Sequence, residues 1–494
     1  MIRAALREPR LCHPGRDVSK GRIALVGAVA VIAVAGYAAL DAADVVPGVL
    51  TTEPAIPAPA AFPEPAPVEP ADPGLAPPGA DTAVPSPEQL AVLTDDLIAD
   101  PRIGASVGVS VVDGLTGESL VDVGAAEPRT PASSVKLLPA LAALDALGAD
   151  HVLTTRVVDD GARLTLVGGG DIRLTDAAPD TASEAEDGPD HPDGADRADD
   201  PDDADDARAS VGELARAAAE ELRAQGRSEV TLALDDTLFT GPAYAPGWGG
   251  IDFDYVMAIQ PIAIDSGRLA SGGYAEDPAL AAARAFASHL EAAGISVTGD
   301  ITRDSASPDA EPIAEVTSAP LSDLVRHTLR ESDNSTSEVL ARLVALAEGE
   351  EPSFAGAARA VRSRLASMGL DVAGLELPDT SGLLVEVQAT PGLLSDALLL
   401  GLEDPNFRAV IDGLPVAALN GTLRHRLDGP AAGVARAKTG TLTTAVSLSG
   451  IVLTADGRPL VFAVLADGVE FGGAAAGRAA IDEWVHHLAT CGCR

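Results

Sequence analysis

Two long tracts of this chain cannot contribute to a hydrophobic core, and their positions decide what the remainder can build. From Pro47 to Pro87 the sequence is rich in Pro, Ala and Glu (PAIPAPAAFPEPAPVEPADPG). That composition favours solvated polyproline II, so 41–87 reads as a semi-rigid linker. From Asp176 to Arg208 it holds 14 acids and 2 arginines with almost no bulky apolar side chain. Residues 176–208 are therefore expected to form a disordered acidic loop, with no EF-hand spacing that would make it a calcium site. Ahead of both tracts, Ile23 to Leu40 is an uncharged run of 18 residues, preceded by Arg7, Arg10, Arg16, Lys20 and Arg22. Residues 1–22 read as a cytoplasmic basic tail and 23–40 as a transmembrane anchor or a secretory signal, which places the bulk of the chain outside the cytoplasm.

What remains alternates strands with amphipathic helices. Ala105–Val112 and Ser119–Val123 read as neighbouring strands, and Val135–Leu147 as an Ala/Leu-rich helix. Helices are expected over Gln89–Ala99, Val211–Ala224, Ala279–Ala293, Leu321–Leu329, Ser335–Ala347 and Phe354–Ser367. Strands return at Ala445–Thr454 and Leu460–Ala466 before a closing helix, Ala475–Ala489. Strands at both ends with helices between predict a mixed α/β sheet in which the two ends of the folded region meet.

Composition excludes several functions. With 34 basic against 74 acidic residues the formal charge is −40, and aromatics are 3%. Such a surface repels phosphate backbones and offers few stacking platforms, so nucleic acid is not a partner. The three cysteines, Cys12, Cys491 and Cys493, form no C-x-x-C pair, and His486-His487 and His327 fit no metal-ligand pattern, so no metal is expected from these residues.

Only three of the 34 basic residues are lysines: Lys20, Lys136 and Lys438. Arginine stays protonated and cannot readily serve as a base, so the two lysines outside the N-terminal arm are the candidates for proton chemistry. Lys136 stands three residues after Ser133 in Ser133-Ser134-Val135-Lys136. At a helix N-terminus that spacing shares a face, and a buried lysine of lowered pKa can activate a serine. Lys438 begins Lys438-Thr439-Gly440-Thr441, beside the Ala445–Thr454 strand. Strand alternation puts Lys438 and Gly440 on one side and Thr439 on the other, with Gly440 expected to leave room for a substrate against the backbone. Ser332-Asp333-Asn334, between two helices, could set a hydroxyl and an amide at a cleft, or simply cap a helix.

In that order, S-x-x-K, S-D-N and K-T-G are the signature of β-lactamases and penicillin-binding proteins. The chain resembles the penicilloyl serine transferases, and more narrowly the D-alanyl-D-alanine carboxypeptidase/endopeptidase family, the low-molecular-mass class C penicillin-binding proteins. Ser332 lies 199 positions after Ser133, room for the large insertion that members of the family carry and too much for a compact class A β-lactamase. Val167-Gly168-Gly169-Gly170-Asp171, Ala245-Pro246-Gly247-Trp248 and Gly421-Thr422-Leu423 also resemble family segments. The family's D-G-S-G-L-S stretch stands here as Asp379-Thr380-Ser381-Gly382-Leu383-Leu384.

The resemblance implies an α/β (α+β) transpeptidase-like domain, with a mixed antiparallel sheet and a helical subdomain, made from 88–150 and 317–494, and an inserted domain over 151–316. It implies a nucleophile, Ser133; a base, Lys136; a proton relay, Ser332 with Lys438; and substrate contacts from Asn334, Thr439, Gly440 and Thr441. The backbone N–H groups of Ser133 and Thr441 would form the oxyanion hole. The partners would be peptidoglycan stem peptides and β-lactam antibiotics, with no cofactor and with membrane contact through the N-terminal segment only. A penicillin-binding sensor that does not turn over peptide is the alternative. A β-lactamase is disfavoured because no E-x-x-x-N stretch follows Asn334 at the usual spacing.

Overall fold

The computed structural model describes residues 33–41, 82–176 and 208–491. Residues 33–41 are helical and form part of a separate unit. Most of the apolar 23–40 run, the 41–87 linker and the 176–208 acidic loop lie outside the described residues. Among the described residues no helix is long and apolar enough to cross a membrane.

A five-stranded antiparallel sheet organises the second unit. Its order is Ala435–Thr441, Val446–Leu453, Pro459–Ala466, Val107–Asp113, Ser119–Val123. The early and late parts of the sequence meet where Val107 pairs with Ala466 and Asp113 with Leu460. The strand Pro459–Ala466 is an unbroken buried run, as expected of a central strand covered on both faces. Its side chains serve two cores by simple alternation. Leu460, Phe462, Val464 and Ala466 pack with Ile481, Trp484 and Leu488 of the helix Ala474–Thr490 and with Leu90 and Leu97 of Pro87–Ala99. Val461, Ala463 and Leu465 join the opposite core, with Leu141, Leu394 and Leu398.

That second core is largely helical. Leu137–Leu147 is buried on every side from Leu137 to Leu144, the mark of a central helix. Around it lie Leu321–Arg330, Asn334–Glu348, Phe354–Ser367 and Pro391–Glu403. The fold is thus α/β, with an antiparallel sheet and a helical group beside it.

Residues between these parts of the chain form a second five-stranded sheet, ordered Thr302–Arg303, Leu232–Asp235, Leu164–Val167, Thr154–Asp159, Glu311–Thr317. Leu164–Val167 and Leu232–Asp235 are parallel, which requires a crossover; the helix Val211–Ala224 provides it and packs with Pro278–Ala292 over a third apolar cluster.

Candidate active site

Ser133 and Lys136 sit in a 3-10 turn, Ala132–Lys136, and the α-helix begins only at Leu137. This corrects the expectation of a helix from Val135. The difference matters chemically, because residues three apart eclipse each other in a 3-10 turn. Lys136 Nζ donates to Ser133 Oγ at 2.9 Å. It also donates to Asn334 Oδ1 at 2.7 Å and to the Ser381 carbonyl at 2.5 Å. The amine is fully buried. Burial pushes its pKa down from 10.5 to about 8, against the opposing pull of Asp379, Glu338 and Asp333.

Ser332 stands at φ 57°, a left-handed conformation uncommon for a serine. The helix cap that follows is Asp333, whose Oδ1 accepts from Thr336 N at 3.0 Å. Ser332 is thereby released from capping, and its Oγ accepts from Lys438 Nζ at 2.8 Å. Lys438 Nζ also donates to the Thr439 carbonyl at 2.9 Å. Lys438 is fully buried; burial, then the nearby positive charge of Lys136, hold its amine well below the ordinary lysine range. Asn334 spans the two halves of the site, since its Nδ2 donates to Tyr255 O at 2.8 Å while Oδ1 receives Lys136.

Ser133, Ser332, Asn334 and Thr441 line one cleft of about 460 Å³, whose rim includes Tyr255, Arg268 and His327. The two lysines lie beneath it. Thr439 is turned aside, its Oγ1 bonded to Thr422 Oγ1 at 2.8 Å. Gly440 also departs from expectation. A Cβ there would lie 2.6 Å from Pro131 O and 3.1 Å from Ala132 Cβ, so its missing side chain makes room for the turn that carries Ser133 and not for a substrate.

Several residues escaped the sequence reading. His327 Nε2 lies 3.5 Å from Asp333 Oδ2, which also accepts from Ser266 Oγ at 3.1 Å. Burial raises the Asp333 carboxyl, but His327 and the Thr336 N–H outweigh it and hold it far below the usual carboxylate range. The Ser381 carbonyl belongs to the loop 379–384, whose resemblance to a family segment was visible but whose contact with Lys136 was not. Glu338 is fully buried in an otherwise packed helix; a lone acid four residues before Arg342 in such a stretch was the signal available.

A model of the D-Ala-D-Ala carboxypeptidase 3 (S13) family matches residues 90–275 and 272–488. The chain belongs to this S13 family. Among its relatives, the carboxypeptidase DacB of Mycolicibacterium smegmatis is 35% identical over 439 residues, covering 86% of this chain and 88% of that one. The D-alanyl-D-alanine carboxypeptidase of an Actinomadura species is 30% identical over 435 residues, covering 76% and 80%. The crystal structure of penicillin-binding protein 4 (dacB) from Haemophilus influenzae superposes with a TM-score of 0.65 at 19% identity, over 81% of this chain and 98% of that one. At that identity the likeness speaks for the S13 fold alone.

Proposed function

We propose that this protein is a serine DD-peptidase that cleaves the D-Ala-D-Ala bond of peptidoglycan stem peptides, or a D-Ala cross-link, through an acyl-enzyme on Ser133. The observation that carries the reading is the pairing of each catalytic hydroxyl with a buried amine: Ser133 with Lys136 at 2.9 Å and Ser332 with Lys438 at 2.8 Å. A serine hydroxyl is a poor nucleophile, and an amine with a pKa of about 8 is roughly one-tenth unprotonated at pH 7, on the order of 300 times more than an ordinary lysine. Lys136 takes the Ser133 proton as Oγ adds to the substrate carbonyl. The backbone N–H groups of Ser133 and Thr441 receive the oxyanion. Ser332, held by Lys438, passes a proton to the departing amine. Asn334 orients the substrate amide, and Lys438 and Thr441 attract the terminal carboxylate, with Thr439 turned away to Thr422. Water then releases the acyl group. A β-lactam acylates the same oxygen but carries its leaving group along, so the adduct persists.

The catalytic unit in this reading is 88–150 with 317–494, and 151–316 is an insertion. The basic flank and apolar run at 1–40 support export, with 23–40 as anchor or signal. A fluorescent penicillin should label the wild type and leave Ser133→Ala dark, and a synthetic pentapeptide should release D-alanine. Equal labelling of both proteins would end the reading. Labelling without D-alanine release or opening of a D-Ala cross-link would favour a sensor.

A further inference from the structure

The acyl-transfer scheme gives Glu338 no role, yet its side chain is fully buried directly behind the base. Its Oε1 accepts from Thr380 N at 2.9 Å and from Ser381 N at 2.8 Å, and its Oε2 accepts from Thr380 Oγ1 at 2.8 Å. Asp379 grips the other side of the same loop. Its Oδ1 accepts from Gly382 N at 2.7 Å, and its Oδ2 from Trp248 Nε1 and Leu384 N, both at 2.9 Å. Six hydrogen bonds onto two carboxylates therefore fix the backbone whose Ser381 carbonyl receives Lys136. The loop is also wedged against the nucleophile turn: Gly382 has φ 79°, and a Cβ there would lie 2.1 Å from Ala132 O. Two buried carboxylates this close to one amine form an electrostatic unit with it, and Arg342, four residues on from Glu338 and fully buried, supplies further positive charge.

We propose that Glu338 is a positioning residue for Lys136: it clamps the Thr380–Ser381 backbone so that the Ser381 carbonyl faces the amine, and its negative charge helps retain the amine's proton. Other charged groups act here too, namely Asp379 from the loop, Asp333 from the helix cap, Arg342 from Glu338's own helix and Lys438 from the neighbouring strand. Burial raises the pKa of both Glu338 and Asp379, so the charge on the unit is set by the whole group. The inference rests on the acyl-enzyme reading above.

Glu338→Gln separates charge from scaffold. Both backbone N–H groups bond the single oxygen Oε1, which the amide keeps as its carbonyl, while the Thr380 hydroxyl can reverse and accept from the new NH₂. The measurement is the second-order rate of acylation by a fluorescent penicillin between pH 6 and 10, for wild type and Glu338→Gln. Labelling of the wild type at Ser133 tests the acyl-enzyme reading alone; the difference between the two profiles decides the role of Glu338. Loss of the charge should move the acid limb down by about half a pH unit, which is about a two-fold gain in free amine near pH 7.5, above the range in which Glu338 itself takes up a proton. A purely structural residue would lower the plateau or the melting temperature and leave the midpoint in place. If Glu338→Gln fails to fold, Thr380→Val removes the hydroxyl that supports the charge and should move the limb in the same direction by less. An unshifted midpoint in the folded variant overturns the proposal.

Discussion

Gly440→Ala tests whether the strand and the turn that carries Ser133 are as tightly joined as their geometry implies. Gly440 pairs with Ser447 in the antiparallel sheet. An added methyl would lie 2.2 Å from Ser447 Oγ, 2.6 Å from Pro131 O and 3.1 Å from Ala132 Cβ. The Ser447 hydroxyl is not free to swing away at no cost, because it donates to Pro131 O at 2.6 Å and bonds Ser134 Oγ at 2.8 Å. Pro131 O is backbone. Relieving that contact to an ordinary carbon–oxygen separation takes roughly 0.9 Å of separation between strand and turn. Overpacking of this kind costs about 1–3 kcal/mol, which a protein of this size survives. Catalysis is more sensitive. The turn carries both Ser133 and Lys136 while the strand carries Lys438, so the two hydroxyl–amine pairs lose register with each other, and a misplacement near 1 Å costs on the order of 100-fold. Acylation by a fluorescent penicillin should fall by about that factor in a variant that still gives a cooperative urea transition. Adding Ser447→Ala removes one of the clashing atoms and should recover part of the loss. Acylation by Gly440→Ala within about three-fold of wild type would refute the close-approach argument.

Other consequences can be checked with the same preparations. The acylation rate should rise with pH through about 8, as Lys136 loses its proton, and Lys136→Arg, which cannot deprotonate, should lose at least ~100-fold at every pH tested. The same amine makes folding pH-dependent. Its folded pKa lies below the ordinary value of 10.5, so the burial penalty is present in full below pH 8 and relieved as pH rises towards 10.5. Wild type should therefore gain stability relative to Lys136→Met over that window, by up to about 3 kcal/mol in chemical denaturation. Outside the cleft lining, Arg458 Nη2 meets Asp113 Oδ2 at 2.6 Å with both side chains buried. Asp113→Ala should cost about 3–5 kcal/mol of stability while leaving acylation per folded molecule unchanged.

The sequence made some parts of this molecule readable and hid others for physical reasons. Helices with a one-sided apolar stripe, such as Val211–Ala224, announce their limits through Ser210 and the following Gly226. The strand Pro459–Ala466 was visible over Leu460–Ala466 as an apolar run of strand length. Pro391–Glu403 was not expected, because Pro391-Gly392 reads locally as a turn, whereas in the fold Thr390 Oγ1 caps the helix by accepting from Leu393 N at 3.0 Å. The short strands Leu164–Val167 and Leu232–Asp235 are too brief to display a period and owe their pairing to distant partners. At the site, S-x-x-K and K-T-G stood out because lysine is scarce elsewhere, and S-D-N because it falls between them in the order of the signature. The Ser381 carbonyl did not, since a backbone acceptor has no side-chain signature. Nor could alternation alone say that Gly440 faces Pro131 and Ala132, which depends on where a segment 300 residues earlier comes to rest.

The interleaving of early and late strands also imposes an order on assembly. Val107–Asp113 has Pro459–Ala466 as its neighbour on one side, and Lys438 reaches the cleft only on a strand anchored through Val446–Leu453 to that same neighbour. A chain still being translated or threaded across a membrane has Ser133 and Lys136 long before Ser381, Ser447 and Lys438, which hold their turn and complete the cleft, arrive. Such an unfinished molecule carries an alcohol beside an unburied, protonated amine, so the hydrolytic machinery comes into existence only when the last strands dock.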